Sequence, residues 1–359
     1  MNIERPDLEH LDPEVLAYIE ALEAELAQLK QPKGRKISTT AEVEDVNDAP
    51  LPEPTEPPTP INIITISADG FAKRTPRHFY SRQRRGGMGV FDLDTPETSP
   101  PTILVAAEAS QHIIIVTNQV RAFRLAVADL PEAVVRDKGQ SLEKWLRFRP
   151  DEKAALAFTD LEKGYLILLT ERGHIRRLRY HYFGNNLRAG TVLYNLQELG
   201  EPMSACWSTG DKDLFIATRE GKALRFLEKL VPANGCLGIR LGKDDSAVAI
   251  TSVNEDSQVF MMSADGKGAI RLMNGFASNK TAGVSGKVAM KTDKLIGAVE
   301  VKDSDNIFAI SRLSKIIRFQ VIEVPPKEGV VQGVNCMALR ADETMTIITG
   351  TIPQMPNVT

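Results

Sequence analysis

Three arginines in four residues, then three glycines in four, set Ser81-Arg82-Gln83-Arg84-Arg85-Gly86-Gly87-Met88-Gly89-Val90 apart in this 359-residue chain. A guanidinium offers paired donors that match an oxyanion. Glycine reaches positive φ and lets backbone N–H groups come close to a phosphate. Upstream, Lys73-Arg74-Thr75-Pro76-Arg77 adds three more cations. The chemistry this favours is grip on a polyanion rather than bond cleavage.

Arginine recurs along the chain. Six segments share one pattern, an apolar run, a turn, then a strand bearing arginine: ITISADGFAKRT, IVTNQVRAFRL, LLTERGHIRRL, IATREGKALRF, MSADGKGAIRL and ISRLSKIIRF. The aligned arginines are Arg74, Arg124, Arg177, Arg225, Arg271 and Arg318, spaced 46 to 53 residues apart. Lys73, Arg121, Arg176, Arg179, Lys222, Lys267 and Lys315 lie beside them. A strand buried on both faces rejects such charges, so the pattern predicts one cation cluster per repeat on an exposed rim. Each arginine paired with an acid of its own repeat is the alternative.

Catalytic signals are missing. No HExxH occurs, and His10, His78, His112, His174 and His181 form no metal-ligand spacing. Gly283-Val284-Ser285-Gly286-Lys287 lacks the GxxxxGK[ST] spacing, and no GxSxG is present. Cys206, Cys236 and Cys336 stand 30 and 100 residues apart, which fits neither a disulfide framework nor a cysteine zinc site. The expectation is a protein without cofactor, metal or catalytic residues.

The elements that position these residues read as strands. INIITIS, HIIIVT, YLILLT, DLFIAT, QVFMMS and NIFAIS are short and apolar, with Gly, Asn and Asp between them. Asp69-Gly70, Glu220-Gly221 and Asp265-Gly266 supply hairpin turns. A weaker second signature follows in GGMGVFDL, RAGTVLYNL, GCLGIRL, AGVSGKVAM and VQGVNCMAL. About four strands per unit is the content of a propeller blade. An all-β, six-bladed propeller is therefore expected, with hairpins in an open sandwich as the alternative. One short helix near residues 141–148 is the exception, and the second repeat carries an insert around 129–150.

Before the repeats the texture differs. Asp12-Pro13 starts a helix whose Val15, Ile19, Leu22, Leu26 and Leu29 form a heptad stripe, ended by Pro32 and Gly34. Residues 1–30 are read as a helix that lies on protein or self-associates through residues 13–30. Residues 31–60 are Pro- and Glu-rich and read as a disordered linker; residues 61–359 are read as the folded body. Residues 1–60 hold five Lys/Arg against fourteen Asp/Glu, whereas the remainder holds 39 against 33. A mildly basic body is compatible with a polyanionic partner. Without a long apolar run or a signal peptide, a cytoplasmic location is expected, at the nucleoid if the polyanion is DNA.

QRRGGMG resembles the QRRGGKG box of the DNA gyrase A C-terminal domain, and SADGFAKRTP is similar to that family's first-blade strand. The resemblance spans residues 61–359. It implies a six-bladed β-pinwheel, a propeller relative with strands exchanged between blades, that wraps duplex DNA on its basic rim. It carries the box onto Gln83, Arg84, Arg85, Gly86, Gly87 and Gly89, with Met88 where the family has lysine. It implies a role in DNA topology beside gyrase or topoisomerase subunits. Only 60 residues precede the first repeat, so a stand-alone module without the family's cleavage–religation part is expected. A protein-interaction scaffold that has lost DNA wrapping is the alternative.

Overall fold

The computed structural model describes residues 56–161 and 163–352. The helix expected within residues 1–30, and the linker expected over 31–60 up to residue 55, lie outside the described residues.

Each apolar run pairs with the strand after its turn. The hairpins are Ile61–Ser67 with Phe71–Pro76, His112–Thr117 with Arg121–Ala126, and Tyr165–Thr170 with His174–Arg179. Asp213–Thr218 pairs with Lys222–Leu227, Gln258–Ser263 with Lys267–Leu272, and Asn306–Ser311 with Lys315–Gln320. Every run ends in a buried Ser or Thr. There a hydroxyl replaces a ladder carbonyl: Ser67 Oγ accepts from Phe71 N–H at 3.1 Å, and Thr117 Oγ1 accepts from Arg121 N–H at 3.2 Å. Register with the neighbouring strand shifts at that point in all six hairpins, a repeated bulge. Gly70, at φ 80°, takes the left-handed turn position; Val120 (φ 61°) and Ser314 (φ 60°) hold the equivalent place without glycine.

A third strand follows each hairpin and pairs with the apolar run on the side opposite its hairpin partner. These strands are Pro101–Glu108, Ala154–Thr159, Pro202–Ser208, Ala247–Val253, Leu295–Val301 and Thr344–Thr349. Each touches the next, and the last touches the first, so they line the inside of a closed ring. The six sheets are therefore blades of a propeller, numbered here in chain order. The sandwich alternative is excluded by this closure.

The fourth, outermost strand of each blade comes from the following repeat. Gln140–Ser141 pairs onto the first blade, Thr191–Val192 onto the second and Cys236–Leu237 onto the third. Lys287–Val288 pairs onto the fourth and Val334–Asn335 onto the fifth. Val90–Phe91, from the first repeat, pairs onto the sixth and closes the ring. Apolar clusters fill the seams. At the closing seam Ile63, Tyr80 and Leu104 pack with Phe308, Ile310 and Ile316. The helix expected near 141–148 is a single 3-10 turn, Leu142–Lys144, capped where Ser141 Oγ accepts from Glu143 N–H at 3.3 Å.

Candidate nucleic-acid interface

The arginine–glycine loop leads into the ring-closing strand and lies on the sixth blade. Gln83 N–H donates to Arg318 O at 2.8 Å, Gly86 N–H to Cys336 O at 2.7 Å, and Ala338 N–H to Gly87 O at 2.9 Å. Arg85 is drawn into the same contact: its N–H donates to Glu323 Oε2 at 2.9 Å, its Nε to Glu323 O at 2.8 Å and its Nη1 to Asn335 O at 3.1 Å. A Cβ on Gly89 would stand 2.6 Å from Ile316 O. The glycines thus allow close approach to protein backbone. Gly86, Gly87 and Gly89 N–H groups already donate within the protein, so they are not free for phosphate. Arg84 is exposed and makes no side-chain hydrogen bond or ion pair with another described residue. Arg82 is exposed as well.

Lys73 was expected on the rim, yet it is fully buried. Its Nζ lies 2.9 Å from Asp92 Oδ1 and donates to Val134 O at 3.0 Å. Thr65 Oγ1 and Tyr80 Oη also donate to Asp92, each at 2.7 Å. Burial first, and then the Asp92 charge, push the Tyr80 phenol well above its ordinary value. A buried charge needs such a full set of partners. Asp92 follows the ring-closing strand, so this network serves closure.

The six aligned arginines were expected to ring an exposed edge. Five of them instead staple their blade to the next repeat. Arg74 Nε donates to Leu130 O at 3.0 Å and Nη1 to Glu132 at 2.6 Å. Arg124 pairs with Asp160 at 2.6 Å and reaches Asn185 at 3.1 Å. Arg177 pairs with Glu228 at 2.9 Å and lies 3.8 Å from the Tyr165 ring centroid. Arg225 holds Asp213 and Glu255, each at 2.7 Å, together with Met273 O and Phe276 O. Arg318 holds Tyr80 O at 3.0 Å and Glu56 at 2.6 Å. Arg225, Arg271 and Arg318 are 3%, 4% and 1% exposed, which corrects their placement on the rim.

Arg271 also breaks the alignment. Arg225 sits opposite Phe215, and Arg318 opposite Phe308, whereas the matching Phe260 sits opposite Ile270. One residue of slip turns a strand side chain to the other face. Arg271 accordingly lies 5.5 Å from the Phe276 ring centroid instead of joining the staples.

Several flanking cations are also engaged. Arg77 pairs with Glu56 at 2.9 Å, Arg121 pairs with Glu152, and Arg176 Nη1 donates to Asn234 O at 2.7 Å. Lys222 pairs with Glu220 and Lys267 with Asp265, each at 2.7 Å, near the hairpin turns. Such surface pairs add little stability and leave the cation accessible. Arg179 is exposed and Lys315 half-buried, and neither has a side-chain partner among the described residues.

Another set of cations lies on the exchanged segments. Residues 183–192 carry Arg188, residues 232–243 carry Arg240 and Lys243, and residues 277–291 carry Lys280, Lys287 and Lys291. All six are exposed; Arg188, Arg240, Lys280 and Lys287 have no acid close by in sequence, whereas Asp244 and Asp245 follow Lys243 and Asp293 stands two residues after Lys291. Their strands are the outermost of the second, third and fourth blades, which are consecutive in the ring. The segments over the first and fifth blades are mixed, with Lys138 beside Asp137 and Lys327 beside Glu328. The glycine-bearing second signature contained Arg188 and Lys287, so a signal for these positions was present in the sequence.

Nothing assembled among the described residues resembles a catalytic centre. No group of three or more His, Cys, Asp or Glu is placed to hold a metal. Burial pushes the Cys206 thiol up, and pushes Cys336 up to about 12, so neither is a ready nucleophile. No described helix is long and apolar enough to cross a membrane.

Comparison with known proteins converges on one family. The model of the DNA gyrase C-terminal domain, beta-propeller, matches residues 62–98 and 212–254. The A subunit of DNA gyrase from Escherichia coli strain K12 is 29% identical over 294 residues, covering 79% of this chain and 34% of its own. Its counterpart from Mycolicibacterium smegmatis is 27% identical over 300 residues, covering 80% and 36%. The chain therefore spans about a third of the length of these relatives. A solved DNA gyrase A C-terminal domain superposes with TM-score 0.71 at 19% identity, covering 80% of this chain and 99% of that one. The C-terminal domain of DNA topoisomerase IV gives 0.57 at 21%, covering 80% and 93%. In sequence and in architecture, the strand-built body of this chain resembles the DNA gyrase A C-terminal domain, a six-bladed β-propeller.

Proposed function

We propose that this propeller binds and bends duplex DNA without catalysis, and that the cationic rim of the second to fourth blades is its main contact. The observation that carries this reading is the run of three consecutive outer segments bearing exposed Arg188, Arg240, Lys280 and Lys287 with no acid close to them in sequence. Opposite charge spread over a convex edge suits a bent polyanion. Lysine and arginine contacts to phosphate position DNA without reading its sequence. Arg84, with Arg82 and Arg85 beside it, supplies a separate contact at the ring-closing loop. Arg179, Lys222, Lys267 and Lys315 stay in the interface as minor contributors. The gyrase-type fold supports a role in DNA topology beside gyrase or topoisomerase subunits, with the protein working in the cytoplasm at the nucleoid.

A relaxed plasmid closed in the presence of the purified protein tests both binding and bending. The expected outcome is a shifted topoisomer distribution, together with retardation of a duplex of about 150 base pairs, one persistence length. Unchanged topoisomers and no retardation at low salt would sink the reading. A protein-docking role is the second reading. It is favoured by Val192 and Val288, which are 57% and 43% exposed on the outermost strands. Capture of a gyrase or topoisomerase subunit by DNA-free protein, abolished by Val192→Ser with Val288→Ser, separates it from the first.

A further inference from the structure

The closing seam uses a different source of acid from the fourth–fifth seam. There, Arg225 pairs with Glu255, which lies in the turn that opens the fifth repeat. At the closing seam the corresponding acid is Glu56, five residues before the first strand. Arg318 Nη2 donates to Glu56 Oε2 at 2.6 Å. Arg77 Nε donates to Oε1 at 2.9 Å and its Nη2 to Oε2 at 3.3 Å. Two guanidiniums from two blades therefore share one carboxylate.

The cradle is built independently of its occupant. Arg318 is also held by Tyr80 O at 3.0 Å, Arg77 O at 3.3 Å and Asn306 Oδ1 at 3.3 Å. Arg77 Nη1 donates to Gly350 O at 2.7 Å. These anchors leave Arg318 Nη2 with Arg77 Nε and Nη2 for an anion, a fork geometry that also fits phosphate oxygens. Glu56 is a surface plug, since Pro57 and Pro58 beside it are exposed. Burial raises the Glu56 carboxyl, but the hydrogen bonds and charges of Arg318 and Arg77 outweigh it and hold the group below its ordinary value. The Arg318 carbonyl accepts from Gln83 N–H, so the cradle adjoins the arginine–glycine loop.

We infer that Arg77 and Arg318 form an oxyanion site at the closing seam, that Glu56 fills it in the free protein, and that a DNA phosphate displaces Glu56. The identity of the phosphate source rests on the DNA-binding reading; the site itself does not. The test uses the full chain with Glu56→Ala, and Glu255→Ala as the matched control at a seam where Asp213 still serves Arg225. Inorganic pyrophosphate is the first probe, against sodium chloride at equal ionic strength.

The expected result is a saturable rise in thermal midpoint for Glu56→Ala alone, lost when Arg77→Ala is added. Absence of that rise overturns the site. Glu56→Gln keeps an acceptor for the guanidiniums and replaces the alanine variant should the latter unfold. In the second arm, duplex affinity at fixed salt rises severalfold in Glu56→Ala, because the phosphate no longer has to displace a carboxylate, and added Arg77→Ala removes that gain. A pyrophosphate response with unchanged duplex affinity assigns the site to free anions and overturns displacement by DNA. Loss of duplex binding by the wild type defeats the proposed function, while the pyrophosphate arm still decides the site.

Discussion

The outer edge of the second to fourth blades and the ring-closing loop on the sixth are both rich in cations, and they treat them differently. On the edge, Lys287 lies on a two-residue strand and Arg188 in the turn just before another, and neither makes an ion pair with another described residue. At the loop, Arg85 is bound to Glu323 and Asn335, and the glycines are packed on blade backbone, leaving Arg84 outward. The loop is thus chiefly a clasp with Arg84 to spare, and the edge is chiefly a surface. The same contrast separates the periodic arginines from the aperiodic lysines. Regular repetition marks what five of the six blades use, a staple to the next repeat; irregular cations are free of that duty.

The largest expected effect comes from breaking a staple. Arg225→Ala leaves Asp213 facing a buried gap and frees Met273 O and Phe276 O. Removing one partner of a buried pair costs about 3–5 kcal/mol. Chemical denaturation should show a loss of that order, whereas Lys287→Ala should leave stability within about 0.5 kcal/mol. Equal losses in the two variants would erase the contrast.

Next comes charge reversal on the edge. Arg188→Glu with Arg240→Glu and Lys287→Glu should weaken duplex binding by about 100-fold or more at low salt, with an unchanged thermal midpoint. Gel retardation and thermal unfolding on one preparation check both halves. Arg84→Ala should do less, up to about tenfold and about 0.9 in salt slope, as one phosphate contact is lost. A larger loss from Arg84→Ala than from the edge reversal would invert the ranking of the two regions.

The smallest effect concerns pH. Glu56 titrates below its ordinary value of 4.5 in the folded protein. Its contribution is therefore fully present above that ordinary value and disappears as pH falls through the lowered one. Wild type should lose stability between pH 4.5 and more acidic conditions faster than Glu56→Gln does. Parallel pH profiles would show that the plug contributes nothing.

Much of this fold was legible in the sequence because each blade is built on a long apolar run that ends in Ser or Thr and turns at a fixed place. Ser67, Thr117 and their equivalents set that period physically, as turn hydroxyls. The exchanged strands were less legible, since two residues such as Thr191–Val192 carry no periodicity of their own. Burial of Lys73 was invisible because its partner Asp92 is set by a loop that crosses to another blade. The direction of the arginines was misread for a related reason. Charge argues against burial only when partners are lacking, and carbonyls such as Leu130 O and Met273 O are supplied by the next repeat. The slip at Ile270 and Arg271 lay in one residue of alignment, which sequence spacing alone does not resolve.

The most direct measurement is the salt dependence of duplex affinity for Arg188→Ala with Lys287→Ala, set against Lys222→Ala with Lys267→Ala. Both pairs remove two cations, one from the acid-free edge and one from acid-paired turns. The account predicts that the slope shrinks by about 1.8 in the edge variant and by much less in the turn variant. Equal slopes in the two variants, or an edge variant indistinguishable from wild type, would contradict it.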